Sequence, residues 1–251
     1  KEERKLTDKS IADFKLGLTI KNGKKFIAIP YFRKGDCVLV KYRSVHGKEF
    51  MREAGCDSHI FNIDVAHASD FSKVIFCEAE LDCISLTQYG YAPVISASAG
   101  AQSIGLPDAW REDLANFDSV LICYDNDEAG DKGARELSEF VGKYRCKKIV
   151  LPRKDANECL VNSVAKTEMD DCIKHATDFD VGKIDFNQLQ TEWLFLDSLG
   201  GHYDLLEKAV NWAVANNVKL ATNPGGKEFE HGLEKLKPLL KNFSIVIMNQ
   251  D

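Results

Sequence analysis

No apolar stretch in this 251-residue chain approaches the ~18 residues a membrane-spanning helix needs. No signal-peptide pattern opens it, and its first residue is Lys1 rather than Met, so further sequence upstream and a cytoplasmic location are expected. Its eight cysteines (37, 56, 77, 83, 123, 146, 159 and 172) include no C-x-x-C pair. That argues against a cysteine zinc site in this segment and for reduced thiols. The six histidines show no metal-site or triad spacing, and no G-x-S-x-G elbow is present. Asn223-Pro224-Gly225-Gly226-Lys227-Glu228 sits where a triphosphate loop would sit. It lacks the leading glycine and the Ser/Thr for Mg²⁺, so it reads as a turn and not as part of a P-loop motor. Internal repeats and low-complexity linkers are also missing.

What is present is an uneven distribution of charge. Residues 1–52 carry 14 Lys and Arg against 6 Asp and Glu, whereas the remainder carries 19 against 33. A basic part followed by an acidic part suits a protein that grips a polyanion and handles phosphates. Charge alone leaves this reading level with that of an ordinary solvated surface.

The pattern divides the chain into residues 1–72, 73–180 and 181–251. Ile11, Phe14, Leu16 and Leu18 predict an amphipathic helix within residues 1–20. Two apolar runs, 26–32 and 37–43, flank a turn at Lys34-Gly35-Asp36 and predict an antiparallel hairpin, which residues 48–52 extend. From Lys73 strands and helices alternate: strands at 74–77, 94–96, 119–124 and 147–151, and helices near 82–89, 108–116, 129–144, 157–165 and 168–176. Such repetition predicts an α/β fold with a central parallel sheet, right-handed crossovers and helices on both faces. In the last part, helices at 188–199 and 203–217 precede a β-α-β pattern: a strand at 218–221, a helix to about Leu240 and a strand at 243–248.

Three acidic stretches stand out: Glu78-Ala79-Glu80-Leu81-Asp82, Asp125-Asn126-Asp127-Glu128-Ala129-Gly130 and Lys154-Asp155-Ala156-Asn157-Glu158. The first two directly follow apolar strands and the third follows one after a short loop. Carboxylates beyond neighbouring strand ends converge on the crevice where open α/β sheets bind ligands. Crowded carboxylates repel one another unless a cation compensates, and all-oxygen donors favour Mg²⁺ or Mn²⁺.

Glu78-x-x-x-Asp82 after one strand and Asp125-x-Asp127-x-Ala129-Gly130 after a later one resemble the two signature motifs of the Toprim domain. This is a metal-binding module shared by primases, type IA and II topoisomerases and some nucleases. Lys154-Asp155-Ala156-Asn157-Glu158-Cys159-Leu160 is similar to the acidic loop of phage primase-helicases and their twinkle-like relatives. The stretch from Ile27 to Arg52, with Ile29-Pro30 and Lys41-x-Arg43, resembles the basic subdomain that precedes Toprim in those primases. The resemblance spans about residues 20–165. It departs at Ala79, where the family usually has glycine; alanine fits there only if φ is negative.

The resemblance implies a DNA primase: a nucleotidyltransferase that makes RNA primers from ribonucleotide triphosphates on single-stranded DNA. It implies two or more Mg²⁺ or Mn²⁺ ions. Glu78, Asp125 and Asp127 would be the catalytic set, Asp155 a further ligand, and Glu80 and Asp82 supports behind them, with Asp82 alternatively capping its helix. Lys41 and Arg43 are the foremost candidates for contacting template or triphosphate, ahead of Arg33, Arg52 and Lys132. A replicative helicase, in cis or in trans, is an expected partner. Two alternatives stay open: a Toprim nuclease, and a catalytically degenerate module that binds nucleic acid or a replication partner. A topoisomerase would need a nucleophilic tyrosine, and none can be assigned.

Overall fold

The computed structural model describes residues 3–47, 49–53, 55–98, 106–179, 186, 189–197, 203–224, 229 and 233–247. They fall into two compact units, 1–179 and 180–251. The first unit contains both the basic hairpin region and the α/β region.

It begins with α1 (Asp8–Asp13), capped by the Thr7 hydroxyl, which accepts from the Ser10 amide. The short helix expected ahead of Gly17 is present and ends at Asp13. Lys15 adopts a left-handed φ of 51°, and Gly17–Lys21 forms β1 instead. Leu18, which the sequence pattern places in the helical stripe, lies on this strand instead, exposed with Ile20 at spacing two, the period of a strand. β1 pairs antiparallel with β2 (Lys24–Arg33). β2 turns through Lys34 and Gly35, both at positive φ, into β3 (Asp36–Ser44). Positive φ at both central residues is what a tight hairpin turn requires. β4 (Phe50–Arg52) completes the four-stranded sheet, as expected for the third basic stretch.

The α/β part follows the expected alternation: α2 (Ile63–His67), β5 (Lys73–Cys77), α3 (Glu80–Gln88), β6 (Val94–Ser96), α4 (Ala109–Ala115), β7 (Ser119–Cys123), α5 (Glu128–Val141), β8 (Cys146–Lys148), α6 (Ala156–Val161), α7 (Lys166–Lys174) and β9 (Thr177–Asp178). The sheet order is β6-β5-β7-β8-β9, parallel except for β9. Side chains alternate between two cores. Ile75 and Cys77 pack with Leu81 and Ile84 of α3, Cys159 of α6 and Met169 of α7. Val74, Phe76, Val120 and Ile122 pack with Trp110 and Leu114 of α4 and Ala134 and Leu137 of α5. Both faces are thus covered, as a parallel sheet requires. The first core also takes in Ile29, Tyr31 and Leu39 of the hairpin sheet, so the two sheets share one interior.

In the second unit, the helix expected over 188–199 is corrected to a strand, β10 (Trp193–Leu196), because Trp-Leu-Phe-Leu is aromatic-rich and pairs parallel with β11 (Lys219–Thr222). Among the described residues, α8 (Tyr203–Ala215), α9 (Leu233–Leu240) and β12 (Ile245–Val246) are its other elements. Its core joins Leu206, Val210 and Ala213 to Leu220, Leu236 and Leu239. The turn read at 223–228 lies outside the described residues except for Asn223 and Pro224.

The chain places β6 on one side of β5 and β7 on the other, so the direction of winding reverses between β5 and β7. Their carboxyl ends are the topological switch point, where such sheets leave a crevice. Gly130, in the first turn of α5, lies directly against the Asp125 backbone: an added Cβ would sit well inside contact distance of the Asp125 carbonyl oxygen and 2.9 Å from its carbon. Backbone cannot yield as a flexible side chain does. Gly130→Ala is therefore expected to destabilise the fold by ~3 kcal/mol, measured by urea unfolding. An unchanged midpoint would show that α5 can shift freely.

Candidate active site

Glu78 follows β5 and Asp125 follows β7, so adjacent strands deliver both to the switch point. A Glu78 carboxylate oxygen accepts from the Asp125 backbone N–H at 3.3 Å. Asp155, beyond β8, caps α6 by accepting from the Glu158 N–H at 2.6 Å. Glu78, Asp125 and Asp155 line one cavity of about 470 Å³ together with Glu80 and Asp82. Lys41, Arg43 and Arg52 from the hairpin sheet line it as well.

Asp127 takes a different position. It caps α5, accepting from the Gly130 N–H at 2.9 Å, and faces a separate open hollow with Asp131 and Arg135. It remains linked to the site through Lys154, whose ammonium lies 3.0 Å from Asp127 and 3.5 Å from Asp125. The Gly130 hydrogen bond, aided by Lys154, holds the Asp127 carboxyl below its ordinary range. Asp125 moves the opposite way. Burial, reinforced by Glu78 and Asp155 and opposed by Lys154, pushes it up to about 6.

Asp82 does not cap α3: Ala79 occupies the cap position. The Asp82 carboxylate instead accepts from the buried Asn157 N–H at 3.0 Å. Burial, with Asp155 nearby, raises Asp82 to about 8 in spite of that bond. Ala79 has φ −132° and ψ 162°, an extended conformation open to any residue, so the absence of glycine leaves the turn unstrained.

Glu80 is 1% exposed, and two groups satisfy it. The Tyr31 hydroxyl donates to it, and the Lys41 ammonium sits 2.7 Å away. Burial and the Glu80 charge drive the Tyr31 hydroxyl well above its ordinary pKa. Lys41 therefore lines the cavity as the counter-ion of a buried carboxylate. Arg43 faces Asp82 and Asp155; burial and the neighbouring Arg4 lower its pKa, while Glu80, Asp82 and Asp155 oppose them.

Two expected phosphate contacts lie elsewhere. Arg33 pairs with buried Asp113 of α4, and Lys132, on the solvent side of α5, faces Glu136 at 3.8 Å. Neither lines the carboxylate cavity. Sequence reasoning overlooked Arg4, which lines the cavity and donates to the Asn157 side chain at 2.9 Å. With those partners 153 positions apart, no local signal existed. Lys154 and Asn157 were within reach, since both belong to the quoted third motif. Asn126 was also missed: its side-chain amide donates to the carbonyls of Leu151 and Arg153, and its backbone N–H to Lys154.

Among the described residues no three His, Cys, Asp or Glu side chains converge tightly enough to hold an ion unaided. The donor chemistry nevertheless fits a hard cation. Mg²⁺ is ordinarily held by one or two carboxylates, with waters and substrate phosphates completing its shell. The elevated Asp125 and the bridging Lys154 both register a demand for positive charge at this place.

Residues 75–160 match the family described as Toprim-like. The twinkle homolog protein of Arabidopsis thaliana is 27% identical over 158 residues, covering 54% of this chain and 22% of that protein. The DNA helicase/primase of Enterobacteria phage T3 is 30% identical over 134 residues, covering 48% and 24%. The chain spans less than half the length of the curated relatives it matches. Among solved structures, the primase fragment of the bacteriophage T7 primase-helicase superposes with TM-score 0.57 at 24% identity, covering 67% of this chain and 70% of the fragment.

Two predictions follow from the charge balance. Lys41→Met leaves Glu80 buried without its counter-ion and should cost about 3–5 kcal/mol in urea unfolding, with Lys41→Met/Glu80→Gln recovering most of it. If the single change is harmless, Lys41 is not structural. For Asp82, the folded state keeps a proton up to about pH 8, whereas the unfolded chain loses it near its ordinary value. Metal-free stability should therefore fall as pH rises between about 5 and 8, by up to about 1.4 kcal/mol per unit. Asp82→Asn, which keeps the acceptor for Asn157, should flatten that slope; an unaltered slope places its source elsewhere.

Proposed function

From a chain that carries a Toprim-like domain of the phage primase-helicase and twinkle-like type, we propose a Mg²⁺-dependent nucleotidyltransferase that makes short RNA primers on single-stranded DNA. The observation that supports this most is the cavity itself. Carboxylates from three strand ends form one wall, and the cations of the hairpin sheet form the other. Neither wall alone suits a nucleotide: the carboxylates repel its phosphates and the cations cannot activate a hydroxyl.

In this reading, Asp125, Glu78 and Asp155 would hold the ions, with Asp127 beside them through the shared Lys154. When bound, Mg²⁺ lowers the pKa of the attacking 3′-hydroxyl and neutralises the triphosphate. Glu78 stands closest to the reacting centre and accepts that proton. Arg43 and Arg52, on the hairpin sheet, hold the triphosphate or template phosphates that the carboxylates would repel. Lys41 pairs with Glu80 in the first turn of α3 and fixes the entry of that helix, which sets the position of Glu78. Glu80 and Asp82 brace the acids from behind. A replicative helicase, in cis or in trans, would deliver the unpaired template.

Incorporation of labelled ribonucleotides on single-stranded templates tests this directly. Glu78→Gln and Asp125→Asn should each lower incorporation by about 10²–10⁴-fold, and chelation of Mg²⁺ should abolish it. Mg²⁺ binding should weaken below pH ~6, where Asp125 takes up a proton. Activity indifferent to both substitutions or to chelation would falsify the mechanism. A second reading, a binding module without catalysis, draws on Lys154, which already supplies charge to Asp125 and Asp127. Mg²⁺ titration calorimetry separates the two: the module shows no heat, and Lys154→Met does not alter it.

A further inference from the structure

Phe50 is half exposed, at 50%, although it lines the cavity that holds the carboxylates. It is the sole aromatic side chain among the described residues of that lining. No side chain of β4 is buried, so the ring is not held there to fill a core. Its position follows from the register of the hairpin sheet. Arg43 pairs with Phe50, and Lys41 pairs with Arg52. Residues directly opposite on neighbouring strands, and residues two apart on one strand, share a face. Lys41, Arg43, Phe50 and Arg52 therefore form one surface, and all four border the cavity.

The contacts within that surface are specific. The Arg43 guanidinium lies 5.0 Å from the ring centroid of Phe50, and the Lys41 ammonium 5.4 Å. Lys41 is committed to Glu80, which leaves Arg43 and Arg52 as the cations beside the ring with charge to offer an anion. An exposed ring bordered by cations is the composition with which proteins bind unpaired nucleic acid: every base has a π face, and the adjoining phosphates need positive charge.

We propose that Phe50, backed by Arg43, is a stacking platform for a nucleobase at the mouth of the carboxylate cavity. The proposal rests on reading that cavity as a nucleotide site and adds the group that holds the base. The ring takes the flat face of the base, Arg43 and Arg52 take the phosphates beside it, and the carboxylates beyond them receive the reacting end. The base can belong to the template strand or to the incoming nucleotide. Stacking is tolerant of base identity, so the platform orients a nucleotide without selecting its sequence.

Fluorescence anisotropy with the whole chain tests this. The probes are a labelled single-stranded oligodeoxynucleotide and the same backbone with abasic sites, each with and without competing ribonucleoside triphosphate. Phe50→Ala and Phe50→Leu should weaken one base-bearing ligand by about 5–100-fold and leave the abasic strand unchanged, while Phe50→Trp restores binding. Loss confined to the oligonucleotide assigns the base to the template; loss confined to triphosphate competition assigns it to the incoming nucleotide. Unchanged binding in both arms, equal loss on the abasic strand, full rescue by leucine, or no binding by the unsubstituted chain overturns the proposal. The underlying function fails separately: a chain that binds base-bearing strands through Phe50 but incorporates no ribonucleotide keeps the platform and loses the polymerisation reading.

Discussion

Repulsion among acids drawn to the ends of adjacent strands governs this molecule. Glu78, Asp125 and Asp155 border one cavity with Asp82 and Glu80 at its back, and each is dealt with differently. Glu80 is neutralised by Lys41 and Tyr31. Asp82 retains its proton. Asp127 leans on a helix N-terminus and on Lys154. Asp125 also rises, through burial and then its neighbours Glu78 and Asp155, in spite of the lysine beside it.

The hairpin sheet makes this arrangement tolerable. It shares a core with the parallel sheet through Ile29, Tyr31 and Leu39, and its next strand presents Lys41 and Arg43 on the face that meets the acids. Tyr31 belongs to both functions: its ring packs edge-on against Phe61 at 5.1 Å, and its hydroxyl reaches Glu80. The basic and acidic halves of the first unit are therefore two sides of one electrostatic structure, although composition alone displays them as separate blocks.

Local patterns exposed most of the α/β scaffold. Apolar runs of parallel-strand length predicted β5, β6 and β7, and the acids after them pointed to the crevice. What stayed hidden depended on contacts distant in sequence or on short segments with mixed signals. The Arg4–Asn157 bond joins opposite ends of the first unit, and no spacing rule connects them. Leu18 fits a helical stripe with Ile11 and Phe14 until Lys15 turns left-handed and the chain becomes a strand. Trp193–Leu196 sits among helix-compatible neighbours, so only its pairing with β11 shows it to be a strand. At the site, Arg33 and Lys132 rank below Lys41 and Arg43 in the sequence, and their orientation, which a sequence does not display, sets both outside the cavity. Asp127 belonged to the right motif, yet the cap of α5 turned it towards a different hollow.

The amide of Asn126 grips the carbonyls of Leu151 and Arg153, while its own N–H holds that of Lys154. This clasp sews the segment after β7 to the segment before α6, so Asp125 and Asp155 are carried on a single stiff plate. Evolution can then retune the pair only as a joint unit. Grafting either segment alone from a distant cousin would import a mismatched buckle, whereas exchanging both together would preserve their spacing.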